Sequence, residues 1–82
     1  QSVTIGSGVT TIMDSAFEYC SRLKEVFCKP TTPPILGYCV FDSNASDRKI
    51  YVPESANDVV IDAYKSAKNW DSYTDVIVEK AM

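Results

Sequence analysis

The chain contains no histidine, and that absence alone removes the conventional Ser-His-Asp and Cys-His centres. Cysteine is scarce as well. Cys20, Cys28 and Cys39 form no CxxC pair, so with no histidine to join them a convergent metal cluster is not expected. A disulfide between two of the three would leave one thiol free, and the expected metal and cofactor complement is none. No basic run occurs and the net charge is −3, which argues against a nucleic-acid or anionic-membrane partner. No apolar run approaches the roughly 20 residues that span a bilayer, so direct membrane insertion is not expected. No glycine-rich loop follows a strand and opens a helix, which leaves no phosphate cradle. Catalysis is therefore not expected of this chain.

What is present is patterning. At 82 residues with 45% hydrophobic and 23% charged content, the chain suits one small folded domain, able to bury only about 60–65% of its unfolded surface. Val3-Thr4-Ile5 alternates apolar and polar side chains, the period of a half-buried strand. Gly6-Ser7-Gly8 supplies a corner, and Val9-Thr10-Thr11-Ile12 is a second β-branched run. Ala16, Phe17, Cys20, Leu23 and Val26 then recur at spacings that turn apolar side chains to one interior. The pattern restarts with Val26-Phe27-Cys28, 23 positions after Val3-Thr4-Ile5. Ile35-Leu36 aligns with Ile12-Met13 at 23, and Phe41 with Phe17 at 24, which places one extra residue near Gly37-Tyr38-Cys39. Ile50-Tyr51-Val52 is a third start. A period of about 23–24 predicts a solenoid in the length range of leucine-rich repeats.

The second unit is altered. Lys29-Pro30-Thr31-Thr32-Pro33-Pro34 replaces the glycine corner by a stiff bridge, and residues 42–49 read as a polar loop without an apolar anchor. Beyond Val52-Pro53 the period becomes helical: Val59, Val60, Ala63, Tyr64 and Ala67 share a stripe. Ser55 or Asn57 caps its start and Asn69 ends it, with Trp70 and Tyr73 folding back as plugs. Val76-Ile77-Val78 closes the chain as a short strand. The division expected is a regular repeat over residues 1–25, a degenerate terminal repeat over 26–49 and a C-terminal cap over 50–82. The fold class expected is a β-rich leucine-rich-repeat solenoid of short parallel strands, ending in a capping α-helix.

These residues carry a resemblance. VTIGSGVTTIMDSAFEYCSRLKEV is similar to the repeat of BspA-type leucine-rich repeat cell-surface proteins, roughly VTIpxxVtxIgxxAFxxCxxLxxV, with Ile12, Ala16, Phe17, Cys20, Leu23 and Val26 matching. CKPTTPPILG resembles that family's terminal repeat, and IYVPES with VIDAYKSAKNWDSY resembles its C-terminal cap. The resemblance covers nearly the whole chain. It departs at Met13-Asp14, where a glycine is usual, and in a longer lead over residues 57–61. It implies a bacterial protein, secreted or held at the outer surface, whose relatives include adhesins. The expected partner is a host or bacterial surface protein or glycan of unspecified identity. The expected function is a non-catalytic interaction or adhesion module. The alternative is a purely structural cap of a larger surface protein whose activity lies in another domain.

Candidate residues follow from the strand alternation. With Val3, Ile5, Val26, Cys28, Ile50 and Val52 turned inward, Thr4, Phe27 and Tyr51 form an outward column, and Ser2, Glu25 and Lys49 the next. Thr4, Glu25, Phe27, Lys49 and Tyr51 are the candidate partner-binding face, an aromatic patch beside charge. Cys20 and Cys28 read as interior residues and Cys39 as the free thiol. The acid pairs Asp14 and Glu18, Asp58 and Asp62, and Asp71 and Asp75 read as solvated surface charge, since glycoside hydrolysis needs two carboxyls facing across a cleft. Asn44-Ala45-Ser46 matches a glycosylation sequon and predicts an exposed loop. Because Gln1 opens on a strand pattern without an initiator Met, the chain reads as the end of a longer array. Its first apolar edge, at Val3, Ile5 and Val9, is then expected to self-associate.

Overall fold

The computed structural model describes residues 2–42, 44–45 and 47–81. Among them run six strands and one α-helix: β1 (Ser2–Ile5), β2 (Thr11–Ile12), β3 (Glu25–Cys28), β4 (Ile35–Leu36), β5 (Lys49–Pro53), α1 (Val59–Ser66) and β6 (Ile77–Lys80). Every strand pair is parallel. The larger sheet has the order β1-β3-β5-β6, and β2 and β4 form a second, two-stranded sheet. The chain is thus a small α/β protein of parallel strands with one helix.

The register repeats. Ser2 pairs with Glu25 and Ile5 with Cys28, an offset of 23, whereas Glu25 pairs with Lys49 and Thr11 with Ile35 at 24. The turn segments after β2 and β4 are bonded in the same sense: Ser15 N–H donates to Tyr38 O, Phe17 N–H to Val40 O and Tyr19 N–H to Asp42 O. Ser15 and Cys39, 24 positions apart, both hold left-handed backbone at φ 57° and 59°. Such a conformation is unfavourable for a side-chain-bearing residue, so its recurrence marks one local geometry used twice. Gly37 lets the neighbouring segment come close: a β-carbon there would meet the Asp14 backbone, its Cα at 2.7 Å. The carboxylate Oδ1 of Asp14 accepts the Tyr38 N–H at 2.8 Å.

One alignment expected from sequence is corrected. Ile12 pairs with Leu36, not Ile35, and the offset there is 24. Burial decides it, since Ile12 (6% exposed) and Leu36 (3%) face the core while Met13 and Ile35 are each 72% exposed. The extra residue lies in the bridge over 29–34, and the Gly37 to Cys39 region carries none. Ala16 is also exposed rather than interior. The loop over residues 42–49 is better anchored than expected. Asn44, 24 positions after Cys20, is half-buried and its Nδ2 donates to Phe17 O at 2.7 Å, while Arg48 lies 5.8 Å from the Tyr73 ring centre. The exposed-loop reading of the sequon therefore fails at Asn44, and its Ser46 lies outside the described residues.

The core gathers Ile5, Val26, Cys28, Ile50 and Val52 from the larger sheet with Leu23, Leu36, Val40 and Phe41 from the turns. Val3, Val9, Phe17 and Cys20 pack against it while partly exposed. The helical segment closes the far side. Ser55 Oγ accepts the Val60 N–H at 2.9 Å, while Asn57 makes no capping bond and, like Asp58, is left-handed. α1 stops at Ser66, three residues short of Asn69, and turns only Val60 and Tyr64 fully inward; Val59 is 65% exposed. Trp70 and Tyr73, on a 3-10 turn, are buried as plugs around Phe41. β6 begins at Ile77, one residue later than the Val76 start read from sequence.

The polar tips of these plugs end the hydrogen-bond ladder. Thr10 O and Ile12 O accept the N–H groups of Ile35 and Gly37. At the positions 24 residues on, Pro34 O accepts from Trp70 Nε1 at 2.9 Å and Leu36 O from Asn69 Nδ2 at 2.7 Å. Phe41 N–H, which stands where Phe17 N–H stands one unit earlier, donates to the Tyr73 hydroxyl at 3.3 Å. Tyr64 adds a 2.6 Å bond to Pro30 O. Side chains replace the next rung. A buried group left unpaired costs about 1–3 kcal/mol, and ring truncation adds to that. Trp70→Phe should therefore lose about 2–4 kcal/mol, while Val59→Ala, exposed on the same segment, should stay within about 0.5 kcal/mol. Urea titrations of both variants check this, and equal losses would refute the ladder-end role.

The same buried groups set an alkaline limit. Burial pushes the Cys28 thiol from 9.0 up to about 12. Burial first, and then the hydrogen bond to Asp42, raise Tyr73 from 10.0 to about 12. Unfolded, these groups lose protons near pH 9 and 10, whereas folded they keep them to about 12. The unfolded state then binds fewer protons, so stability is complete below about pH 9 and falls as pH rises towards 12. Thermal unfolding followed across this window should show a falling Tm, with a shallower slope for Cys28→Val. A flat profile to pH 11 would contradict the assignment.

Candidate functional site

Because β1, β3 and β5 alternate, one set of side chains builds the core and the other stands on the outer face of the larger sheet. The register puts Thr4 beside Phe27, Phe27 beside Tyr51, and Tyr51 beside Val78. Ser2, Glu25 and Lys49 form the adjoining column. All five candidate residues, Thr4, Glu25, Phe27, Lys49 and Tyr51, are thus brought onto one surface. Thr4, Glu25 and Lys49 are exposed, and Phe27 and Tyr51 are half-buried.

The two rings are stacked, with centroids 5.2 Å apart and planes 15° from parallel. Rings this close cannot lie flat side by side, because their edges would collide. Their stacked faces are turned to each other. Such a cross-strand pair contributes roughly 0.5–1.5 kcal/mol beyond its buried area, so the pair also stabilises the sheet. The Lys80 ammonium lies 5.7 Å from the Tyr51 ring centre, in the range of a cation–π contact. Lys80 and Val78 come from β6, which sequence reasoning did not place on this face. No signal for this was available: Ile77-Val78-Glu79-Lys80 runs apolar, apolar, acidic, basic, without alternation and with no repeat period leading to it.

A second constellation was missed altogether. Glu18, Cys39 and Asp42 bring a carboxylate oxygen, a thiol sulfur and a carboxylate oxygen within 4.8 Å of one another. These are the described residues that could hold a divalent cation, and the turn geometry shared by Ser15 and Cys39 positions the thiol. The hydrogen bond to Asp42, followed by burial and the charges of Asp42, Glu18 and Asp14, raises the Cys39 pKa. Its thiol therefore holds its proton more firmly than usual, whereas a ligand or nucleophile needs the thiolate. Asp42 is also engaged by the Tyr73 hydroxyl at 2.8 Å. Cys20, Cys28 and Cys39 are all free; Cys28 is enclosed as expected, Cys20 is only half-buried rather than interior, and Cys39 is exposed.

The remaining acids behave as local surface groups. Asp58, Asp62, Asp71 and Asp75 are exposed and Glu18 is half-buried. Among the described residues no helix is long and apolar enough to cross a membrane. Comparison with protein-family models, with curated proteins and with solved structures gives no match to this chain.

Proposed function

We propose that the chain is the terminal part of a leucine-rich-repeat solenoid of the BspA type, and that it serves as a non-catalytic interaction module at a bacterial cell surface. The solenoid reading is supported by parallel pairing at offsets of 23 and 24 and by the turn conformation repeated at Ser15 and Cys39. The observation that carries the binding role is the stacked Phe27 and Tyr51 pair, set among lysines on the outer sheet face. A partner surface protein or glycan would dock on Thr4, Glu25, Phe27, Lys49 and Tyr51.

A structural reading is favoured by a different observation. Trp70, Asn69 and Tyr73 satisfy the backbone groups that a following rung would pair, so this segment serves to seal an array whose activity lies in another domain. The two readings separate on the face. Phe27→Ala with Tyr51→Ala should abolish adhesion of the protein to immobilised surface proteins and glycans. It should lower stability by about 2–4 kcal/mol, since truncating two half-buried rings loses their buried area as well as the pair contact. Lys49→Glu, which leaves the stack in place, should weaken adhesion with no change in Tm. Full adhesion by both variants would leave only the sealing role.

The edge of the sheet yields a further expectation. Among the described residues β1 has a strand on one side only; of the expected edge, Ile5 is buried, whereas Val3 and Val9, with Phe17 and Cys20, are half-exposed apolar groups. A bare parallel edge with apolar flanks pairs readily with another chain. The protein should dimerise with rising concentration in light scattering, and Thr4→Pro, which removes an outward-pointing edge N–H, should shift it to monomer. A monomer at all concentrations would remove the expectation.

A further inference from the structure

The outer sheet face is electrically unlike the rest of the molecule. Lys49 stands at one end of the aromatic pair. At the other end Lys80 on β6 pairs with Pro53. Glu25 is the one acid among them. Two positive charges against one negative leave this face net positive on a chain of −3. The aromatic rings add to the effect. An aromatic ring is negative on its faces and positive at its edge. The facing sides of Phe27 and Tyr51 are turned to each other, and Lys80 sits at the Tyr51 ring. The negative facing sides are thus covered, one by the other.

We infer that this face docks an extended acidic polypeptide segment, with carboxylates at alternate-but-one positions bracketing an apolar residue. The inference rests on the interaction-module reading above and names the partner's chemistry. The spacing carries it. The register positions of Lys49 and Lys80 lie four residues apart along β5, about 13 Å at strand rise, with the Lys80 ammonium leaning back to the Tyr51 ring. An extended peptide laid along the strands places residues i and i+4 at that same backbone separation, with i+2 over the ring pair between them. A sugar stacks on an open ring face, and the stacking of Phe27 on Tyr51 closes one face of each ring, so an anionic glycan meets the charge with less of the rings.

The test is an amide NMR titration of the whole 82-residue chain with the blocked peptide Glu-Ser-Phe-Ser-Glu. The comparison ligands are its Lys-Ser-Phe-Ser-Lys counterpart and a heparin tetrasaccharide. The acidic peptide should give saturable shifts confined to β3, β5 and β6, and the lysine peptide none. Lys49→Glu with Lys80→Glu, both exposed, should weaken the affinity about tenfold or more. Raising salt from about 0.01 M to about 1 M, which cuts the screening length from about 30 Å to about 3 Å, should weaken it likewise. Shifts elsewhere, indifference to charge reversal, or saturation by the tetrasaccharide alone would overturn the inference. Adhesion lost in the Phe27→Ala, Tyr51→Ala variant, with no peptide binding by the parent, would overturn it while leaving the interaction module standing. Adhesion kept by that variant would instead strike the module itself.

Discussion

A parallel ladder cannot end without leaving a row of backbone donors and acceptors that expect another strand. In an enclosed position each such group is costly, because water is not there to replace the lost partner. This chain meets that constraint with side chains. Trp70, Asn69 and Tyr73 place an indole N–H, an amide and a hydroxyl where the previous rung has backbone groups. The composition of the last third follows from that demand. Aliphatic plugs would fill the volume and leave Pro34 O, Leu36 O and Phe41 N–H unpaired. Tryptophan and tyrosine combine a large apolar body with a polar tip, so one residue both fills the core and ends the ladder.

Placing three tips at once constrains the backbone that carries them. The helix breaks at Ser66, Ala67 turns extended, and Asn69 takes a positive φ of 69°. A helix continued to Asn69 would have swept Trp70 and Tyr73 past the Phe41 cluster. There Phe41 meets Phe17, Trp70 and Tyr73 at centroid distances of 5.8, 5.8 and 5.6 Å. The helical stripe read from sequence was shortened by the competing demand of aromatic packing. The same competition explains the left-handed Asn57 and Asp58 before α1, which bring Ser55 Oγ to the Val60 N–H.

Periodicity made the parallel units legible, because the inward positions must be apolar in every unit and only a few spacings achieve that. It failed where two apolar residues stand side by side. Ile12-Met13 against Ile35-Leu36 admits two alignments, and only the core's shape selects the one that buries Ile12 and Leu36. Asn44 was illegible for another reason. Its polarity suggests a loop, yet its amide reaches Phe17 O, a bond that exists only once two units are stacked. The cluster of Glu18, Cys39 and Asp42 is likewise a product of stacking, joining residues 24 and 3 positions apart. The outer face was readable as far as alternation extends, through Phe27 and Tyr51. Lys80 escaped because β6 joins at an offset of 27, outside the period.

The inward and outward residues of the larger sheet therefore answer to different constraints. Cys28, Ile50 and Val52 are fixed by volume, and exchange for charge at any of them would bury an unpaired ion. Glu25, Lys49 and Lys80 are under no such demand. The fold is indifferent to the sign of an exposed charge, to within a few tenths of a kcal/mol. Yet this chain, acidic as a whole, sets Lys49 and Lys80 around the stacked ring pair. Sheet stability does not require the arrangement, since a stacked pair holds as well among neutral neighbours. A surface selected only to stay soluble would gain more from acids there, as elsewhere on the molecule. Two lysines beside an aromatic pair, where packing leaves the choice free, are what direct attention to a negatively charged partner.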